Sequence, residues 1–395
     1  MTVTSVLFAL AILLLLLAAH PFVTYPASLA VIARLRPRRP SAPLRPRPLD
    51  FSLCMCAYNE EDVIQLKLRN LLALREREPG LEILIYVDAA SDATARRLRA
   101  YAPHINVHVS RTRRGKTYGM NLLARRAKGD VLVFTDANVI LAPDCLDNLR
   151  ADFAAPDVGC VCGNLKYTNG EESPTAATGS LYWRFEEALK RLEERTGSVM
   201  GADGSLFAIR RSLHRPPPDH IIDDMYVSFM VLIQGYRIVQ SRTAHAYERS
   251  ATSSADEFRR KARIACQAFN VHKLLWPQLS RLDALTVYKY VSHKLLRWLS
   301  IYFLAASALL FVAGFIAVGA PSLALGFVAA IVVCGFVGAR WHVKPLTQVV
   351  DVVMSLAGAG LGVWKSVRGE SYQTWTPVAS IRNAASSLTR EPEHT

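Results

Sequence analysis

The stretch from Val3 to Leu35 constrains this chain most: it is apolar apart from His20 and a few hydroxyls, with no Lys or Arg ahead of Arg34. A cleaved export signal would begin basic and carry a shorter apolar core, so a retained membrane anchor is expected. The stretch exceeds the ~20 residues that span a bilayer at ~1.5 Å each, which predicts a tilted helix kinked at Pro21 or Pro26. Arg34, Arg36, Arg38, Arg39, Arg45 and Arg47 follow among prolines. Positive charge on that flank places it in the cytoplasm.

A second apolar region begins near residue 284. Tyr288 to Trp298 mixes Lys289, His293, Lys294 and Arg297 with aromatic and aliphatic residues, the pattern of a helix lying in the interface. Spans are expected at Ser300 to Ala317 and Leu323 to Ala339. A third apolar stretch, Val349 to Val363, is Gly-rich and carries Asp351, which leaves spanning, packing and re-entry open. Trp375, beyond it, reads as aromatic-belt material. Apolar residues make up 51% of the chain and charged residues 20%, as suits lipid-exposed and water-exposed parts together. The net charge of +14 is densest in the Arg/Pro linker, and no nucleic-acid module accompanies it, so no nucleic-acid partner is expected.

Between these regions short β-rich runs alternate with amphipathic helical patterns. Strands are expected at Phe51 to Cys56, Glu82 to Val87, Asn106 to Val109, Val131 to Thr135 and Val158 to Cys162. Helices are expected at Glu60 to Arg77, Asp92 to Tyr101, Lys116 to Lys128 and Pro143 to Phe153. The repeated alternation implies an α/β fold, a mostly parallel sheet with helices on both faces. Cys54 with Cys56 and Cys160 with Cys162 fall in two of the strands, where a small buried hydrophobe suits them better than a zinc site.

Ligands of such sheets bind beyond the carboxyl ends of the strands. Here those ends are acidic: Tyr58, Asn59, Glu60 and Glu61 after the first strand, Asp88 and Asp92 after the second, Asp136 and Asn138 after the fourth. Such a concentration of negative charge calls for a cation. Asp136-Ala137-Asn138 places two oxygen donors on what reads as an extended segment, suited to Mg2+ or Mn2+ that also holds phosphate oxygens. An Asp turn capping the next helix fits the same residues. Asp223 and Asp224 likewise fit either a helix N-cap pair or acid–base chemistry.

Taken together, Cys56-Ala57-Tyr58-Asn59-Glu60-Glu61, Val87-Asp88 through Asp92-Ala93-Thr94, Gly115-Lys116 ahead of Met120-Asn121, and Thr135-Asp136-Ala137-Asn138 resemble the donor-binding half of family 2 glycosyltransferases. Membrane members of that family include cellulose, chitin, hyaluronan and poly-N-acetylglucosamine synthases, and the resemblance covers roughly residues 50 to 300. It implies a GT-A-like (Rossmann-like) domain. Asp88 would meet a uracil ring, with Tyr58 and Glu60 near base and ribose and Asp92 also on the donor side; Lys116 would approach the donor phosphates; Asp136 and Asn138 stand where the family has its metal-binding Asp-x-Asp. Asp203 and Gly204 resemble the acceptor-side strand, and Ile222-Asp223-Asp224 the Thr-Glu-Asp tract, with Asp224 at the position of the catalytic base. The family's Gln-x-x-Arg-Trp is degenerate: Arg263 keeps the Arg, Arg260 replaces Gln and Ile264 replaces Trp, removing a stacking platform for an acceptor sugar.

The resemblance therefore implies an inverting transferase that moves a sugar from a UDP-sugar to a lipid-linked or polysaccharide hydroxyl, with Mg2+ or Mn2+, forming a β linkage. Its expected setting is the cytoplasmic face of the inner membrane, with the bilayer and other membrane proteins of an export pathway as partners. The alternative is an inactive membrane scaffold retaining a nucleotide-sugar fold. The expected organisation is an anchor at 1–35, a linker at 36–49, the transferase domain at 50–283, an interface helix at 284–298, C-terminal transmembrane helices at 299–366 and a tail at 367–395.

Overall fold

A computed structural model describes residues 2–36, 48–168, 174–249, 254–341, 343 and 345–375. Most of the Arg/Pro linker and the tail beyond Trp375 lie outside the described residues. The chain divides into two units: one holds residues 1–35, 257–269 and 283–370, the other 36–256, 270–282 and 371–395.

In the helical unit, α1 (Val3–Ala19) and α2 (Thr24–Leu35) meet at a 61° bend. Pro21 falls in the break, where its missing N–H and its ring stop α1. Pro26 sits in the first turn of α2, where no N–H is required. Far along the chain, α10 (Ala284–Tyr290), one π-helical turn (Val291–Leu295) and α11 (Leu296–Ala317) run as a single 34-residue helix. The segment expected as a separate interface helix at 284–298 is thus continuous with the first C-terminal span, because no Gly or Pro interrupts it. α12 (Pro321–Trp341) and α13 (Leu346–Val367) complete the set, and α13 is unbroken despite its glycines. Among the described residues three helices are long and apolar enough to cross a membrane, or four if the bent pair is one span. Small residues line the α1–α11 contact, where Ser307 Oγ donates to Ala11 O at 2.8 Å and Ser300 Oγ to Ala18 O at 3.3 Å.

The other unit is built on an eight-stranded sheet. In chain order its elements are β1 (Phe51–Ala57), α3 (Glu61–Arg77), β2 (Glu82–Val87), α4 (Thr94–Arg99), β3 (Asn106–Val109), α5 (Lys116–Arg126), β4 (Val131–Asp136), β5 (Ile140–Leu141), α6 (Cys145–Asp152), β6 (Val158–Tyr167), α7 (Pro174–Arg195), β7 (Leu206–Arg210), α8 (Asp223–Ile233), β8 (Arg237–Glu248) and α9 (Ser254–Leu279), whose residues 257–269 belong to the helical unit. The strand order is β3-β2-β1-β4-β7-β6-β8-β5. β1 to β4 are parallel, β7 runs against both β4 and β6, and β5 runs against β8.

β1 is buried along its whole length, as a strand covered on both faces must be. On α3, Ile64, Leu68, Leu71 and Leu74 recur at helical spacing and pack into the core beneath the sheet. Each such side chain, fully buried, contributes roughly 1.5–3 kcal/mol. The strands expected from sequence all form. β6 runs on to Tyr167, because it pairs with β8 up to Glu248.

Candidate active site

β1 pairs with β2 and with β4 so that Cys56 lies opposite both Tyr86 and Asp136. The loops bearing Tyr58, Asp88 and Asp136 therefore leave the sheet side by side. Asn59 and Ala89, both at φ 51°, turn the first two loops through left-handed backbone. These loops are laced together: Asp92 accepts from Glu61 N (3.0 Å) and Thr94 N (2.9 Å), and Glu61 accepts from Ala93 N (2.9 Å). Glu60 is buried, with its N–H on Thr94 Oγ1 at 2.8 Å. In this structure Asp92 clasps the loops, and both of its carboxylate oxygens are engaged with backbone.

Asp88 is fully buried and accepts four hydrogen bonds from the chain: Arg114 N (2.7 Å), Gly115 N (3.0 Å), Arg113 Nε (3.0 Å) and Tyr86 Oη (3.3 Å). A carboxylate has about four acceptor positions, so a base could reach this one only by displacing a donor. The Arg113 guanidinium lies 3.3 Å from the Tyr58 ring centroid and donates to Trp375 O at 2.7 Å. The rings of Tyr58 and Trp375 meet edge-on at 6.0 Å. Gln373 donates to Arg114 O at 3.2 Å, and a Cβ on Gly115 (φ 92°) would fall 2.0 Å from Gln373 O. Ser371–Trp375 thus straps the loop at 113–115. Trp375, expected in an aromatic belt, belongs instead to this site. The polar run Ser371-Tyr372-Gln373-Thr374 before it is the sequence signal that the chain has left the apolar region.

Lys116, at the start of α5, donates to Asp136 Oδ1 at 2.6 Å. A Cβ on Gly204 would sit 3.0 Å from Asp224 Oδ2 and 3.2 Å from Lys116 Nζ, so the lysine, the proposed base and the Gly204 backbone converge on one spot. Asp224 Oδ1 accepts from Met225 N at 2.6 Å, and Asp223 is buried with Oδ2 lacking a hydrogen-bond partner among the described residues. Asp203 pairs with the buried Lys190 of α7, which sequence reading missed. Arg260 and Arg263 lie on the stretch of α9 that belongs to the helical unit, where Arg260 pairs with Glu257 (3.3 Å) and Arg263 donates to Gln267 (3.2 Å).

Helices hold the loops from beneath. On α3, Lys67 donates to Val139 O and Thr135 Oγ1, and Asn70 exchanges hydrogen bonds with Leu141. On α5, Thr117 and Asn121 donate to Ile221 O (2.7 Å) and Pro217 O (2.8 Å), fixing the approach to Asp224. Thr135 Oγ1 donates to Ser205 O at 2.9 Å, tying β4 to the Gly204 loop.

Electrostatics follow from this crowding. Burial, then the neighbouring Asp223, raises the Asp224 pKa to about 7 against the pull of Lys116. Burial also works against charge on Lys116, but Asp136, Asp223 and Asp224 outweigh it and hold the ammonium above its ordinary range. Lys67, fully buried, is lowered to about 7 by desolvation, with Asp136 pulling the other way.

Asn138 does not continue the strand. A turn closes with Val139 N on Asp136 O (3.3 Å), and Asn138 Nδ2 donates to Glu248 Oε1 at 2.9 Å. The extended geometry expected for Asp136-Ala137-Asn138 gives way to this turn because β5 must double back to pair with β8. Among the described residues no three His, Cys, Asp or Glu side chains converge as a metal cage, and no disulfide joins any of the cysteines. One partly exposed carboxylate beside one amide fits a hard divalent ion that takes its remaining ligands from phosphate and water.

The family model for glycosyl transferase family 2 matches residues 52–215, the segment that carries every loop described above except those from β8 and beyond Pro217. Residues 52–215 form a family 2 glycosyltransferase domain. The chain is 28% identical over 199 residues to a poly-beta-1,6-N-acetyl-D-glucosamine synthase of Staphylococcus aureus, covering 48% of this chain and 47% of that protein. An N-acetylglucosaminyltransferase of Rhizobium leguminosarum bv. viciae is 24% identical over 243 residues, 57% of each. The chain thus spans about half the length of the curated relatives it matches. In fold, the mannosyltransferase PcManGT from Pyrobaculum calidifontis, solved with GDP-Man and Mn2+, superimposes with a TM-score of 0.70 at 21% identity over 92% of this chain and 99% of that one. The GT-A-like fold is therefore shared.

Proposed function

We propose that this chain transfers a sugar from a UDP-sugar to an acceptor hydroxyl with inversion at the anomeric carbon, and that Asp224 is the base. The observation that carries this reading is the convergence of Asp224 Oδ2 and Lys116 Nζ over Gly204, with Lys116 bound to Asp136. As the acceptor oxygen bonds to C1, its proton passes to Asp224 and the C1–O bond to the diphosphate breaks, its electron pair leaving with the nucleotide. Lys116 meets the charge that gathers on the departing diphosphate. A divalent ion held by Asp136 and Asn138 would supply further positive charge there, an ion of the kind present in the mannosyltransferase neighbour.

The relatives' names favour N-acetylglucosamine as the sugar. Ile264 in place of the family Trp favours a lipid-linked acceptor glycosylated once or a few times over a long polymer. The apolar helices support a reaction at a membrane, and the positive charge of the Arg/Pro linker favours its cytoplasmic face. The deciding experiment supplies membranes containing the full chain with radiolabelled UDP-N-acetylglucosamine or UDP-glucose and Mg2+ or Mn2+, then separates lipid-soluble from polymeric product. Asp224→Asn should lose incorporation while still binding UDP. Incorporation at the wild-type rate by that variant refutes the assignment.

A further inference from the structure

Where the family carries a second aspartate, this chain has Asn138, and the exchange creates an orientation problem. A carboxylate presents oxygen whichever way it rotates; a carboxamide presents oxygen on one side and an NH2 donor, which repels a cation, on the other. Asn138 Nδ2 donates to Glu248 Oε1 at 2.9 Å. We propose that Glu248 is a positioning residue of the diphosphate–cation site, fixing Asn138 so that its side-chain oxygen is the end offered to the ion. The inference rests on the transferase reading above and deepens it.

The backbone around this contact is fixed on both sides. Ile140 and Leu141 of β5 pair with Tyr247 and Ala246 of β8, and Ala142 N donates to His245 O at 3.0 Å. That register brings Glu248 alongside the Asp136–Asn138 turn. Glu248 O in turn accepts from Thr168 N at 3.0 Å, holding the end of β8 against the end of β6. From the opposite side Lys67 and Asn70 hold Val139 and Leu141. The turn cannot drift, so the remaining freedom at Asn138 is its side-chain rotation, and the Glu248 contact removes it. A carboxylate is the stronger acceptor for that N–H, and engaging it makes the amide oxygen more basic, as partners behind metal ligands do.

The test is Mn2+ binding to the full-length chain in nanodiscs with UDP present, read by the loss of the free-ion EPR signal. Glu248→Ala should weaken Mn2+ by about 10–100-fold, the range for losing a partner behind a ligand. Glu248→Gln, whose amide oxygen still accepts the Asn138 N–H, should bind close to wild type and guards against misfolding of the alanine variant. In an Asn138→Asp background no amide is left to orient, since a carboxylate presents oxygen either way, so adding Glu248→Ala should cost clearly less there than it does beside Asn138. Wild-type Mn2+ affinity in Glu248→Ala, or an equal loss in both backgrounds, overturns the proposal. If Asp136→Ala also binds Mn2+ as wild type does, or the wild type binds none, the cation reading of the site fails together with it. Loss in Asp136→Ala alone sinks only the role of Glu248.

Discussion

Lys116 and Asp136 neutralise each other across 2.6 Å at the spot where a diphosphate and its counter-ion would arrive. In the proposed reaction donor binding would part them, sending the ammonium to phosphate oxygens and the carboxylate to the ion. Lys116→Met should therefore raise the KM for the UDP-sugar by about 10–100-fold, the worth of a charged hydrogen bond. Steady-state kinetics on the purified enzyme decide it, and an unchanged KM would remove Lys116 from the phosphate site.

Asp224 must be ionised to take a proton, and burial beside Asp223 raises its pKa to about 7. The kcat/KM profile should fall on its acid side through about pH 7, well above an ordinary carboxylate. The same shift strains the fold. A carboxyl group with a raised native pKa costs stability as pH climbs from about 4 to 7, and the full cost persists above 7. Asp224→Asn should accordingly melt higher than wild type at pH 8, by roughly 2–4 °C per kcal/mol released, and show little gain at pH 4.

Lys67 carries the opposite sign. Its native pKa, about 7, lies below the 10.5 of an exposed lysine, so the native state sheds its proton first. Wild-type stability should gain from this group as pH rises from 7 toward 10.5. Lys67→Met should flatten that rise in pH-dependent chemical denaturation, and it should lower stability at pH 9, where the neutral amine still bonds Val139 O.

Gly115 lets Gln373 approach to a distance no side chain permits. Gly115→Ala should lift the 371–375 strap, strained further by φ 92° at that position. A cysteine placed at Gln373 should react with a maleimide several-fold faster in the alanine background, and equal rates would mean the strap does not depend on Gly115.

Much of this was legible in the sequence because it is local. The strand runs, the helical spacing on α3 and the acidic strand ends each reveal themselves within a few residues, and a kink at Pro21 or Pro26 follows from proline chemistry, the structure choosing Pro21. What escaped depends on contacts between distant segments. Glu248 acquires meaning only through the β5–β8 register, Lys190 only through Asp203, and Trp375 only because the chain returns after α13 to the loop at 113–115. Asp88 shows the limit most clearly: the resemblance suggests an acceptor for a base, yet the fold spends its four positions on Arg113, Arg114, Gly115 and Tyr86.

The reversal of β7 between β4 and β6 has an evolutionary corollary. Because that strand runs backward, the peptide entering it at Gly204 reaches the same rim that β1, β2 and β4 reach on leaving. In the proposed reaction most residues that handle the nucleotide lie before residue 139, with Glu248 as their distant support, and proton removal lies after residue 200, so drift between Gly204 and Asp224 would redirect which alcohol is modified while leaving the earlier stretch untouched.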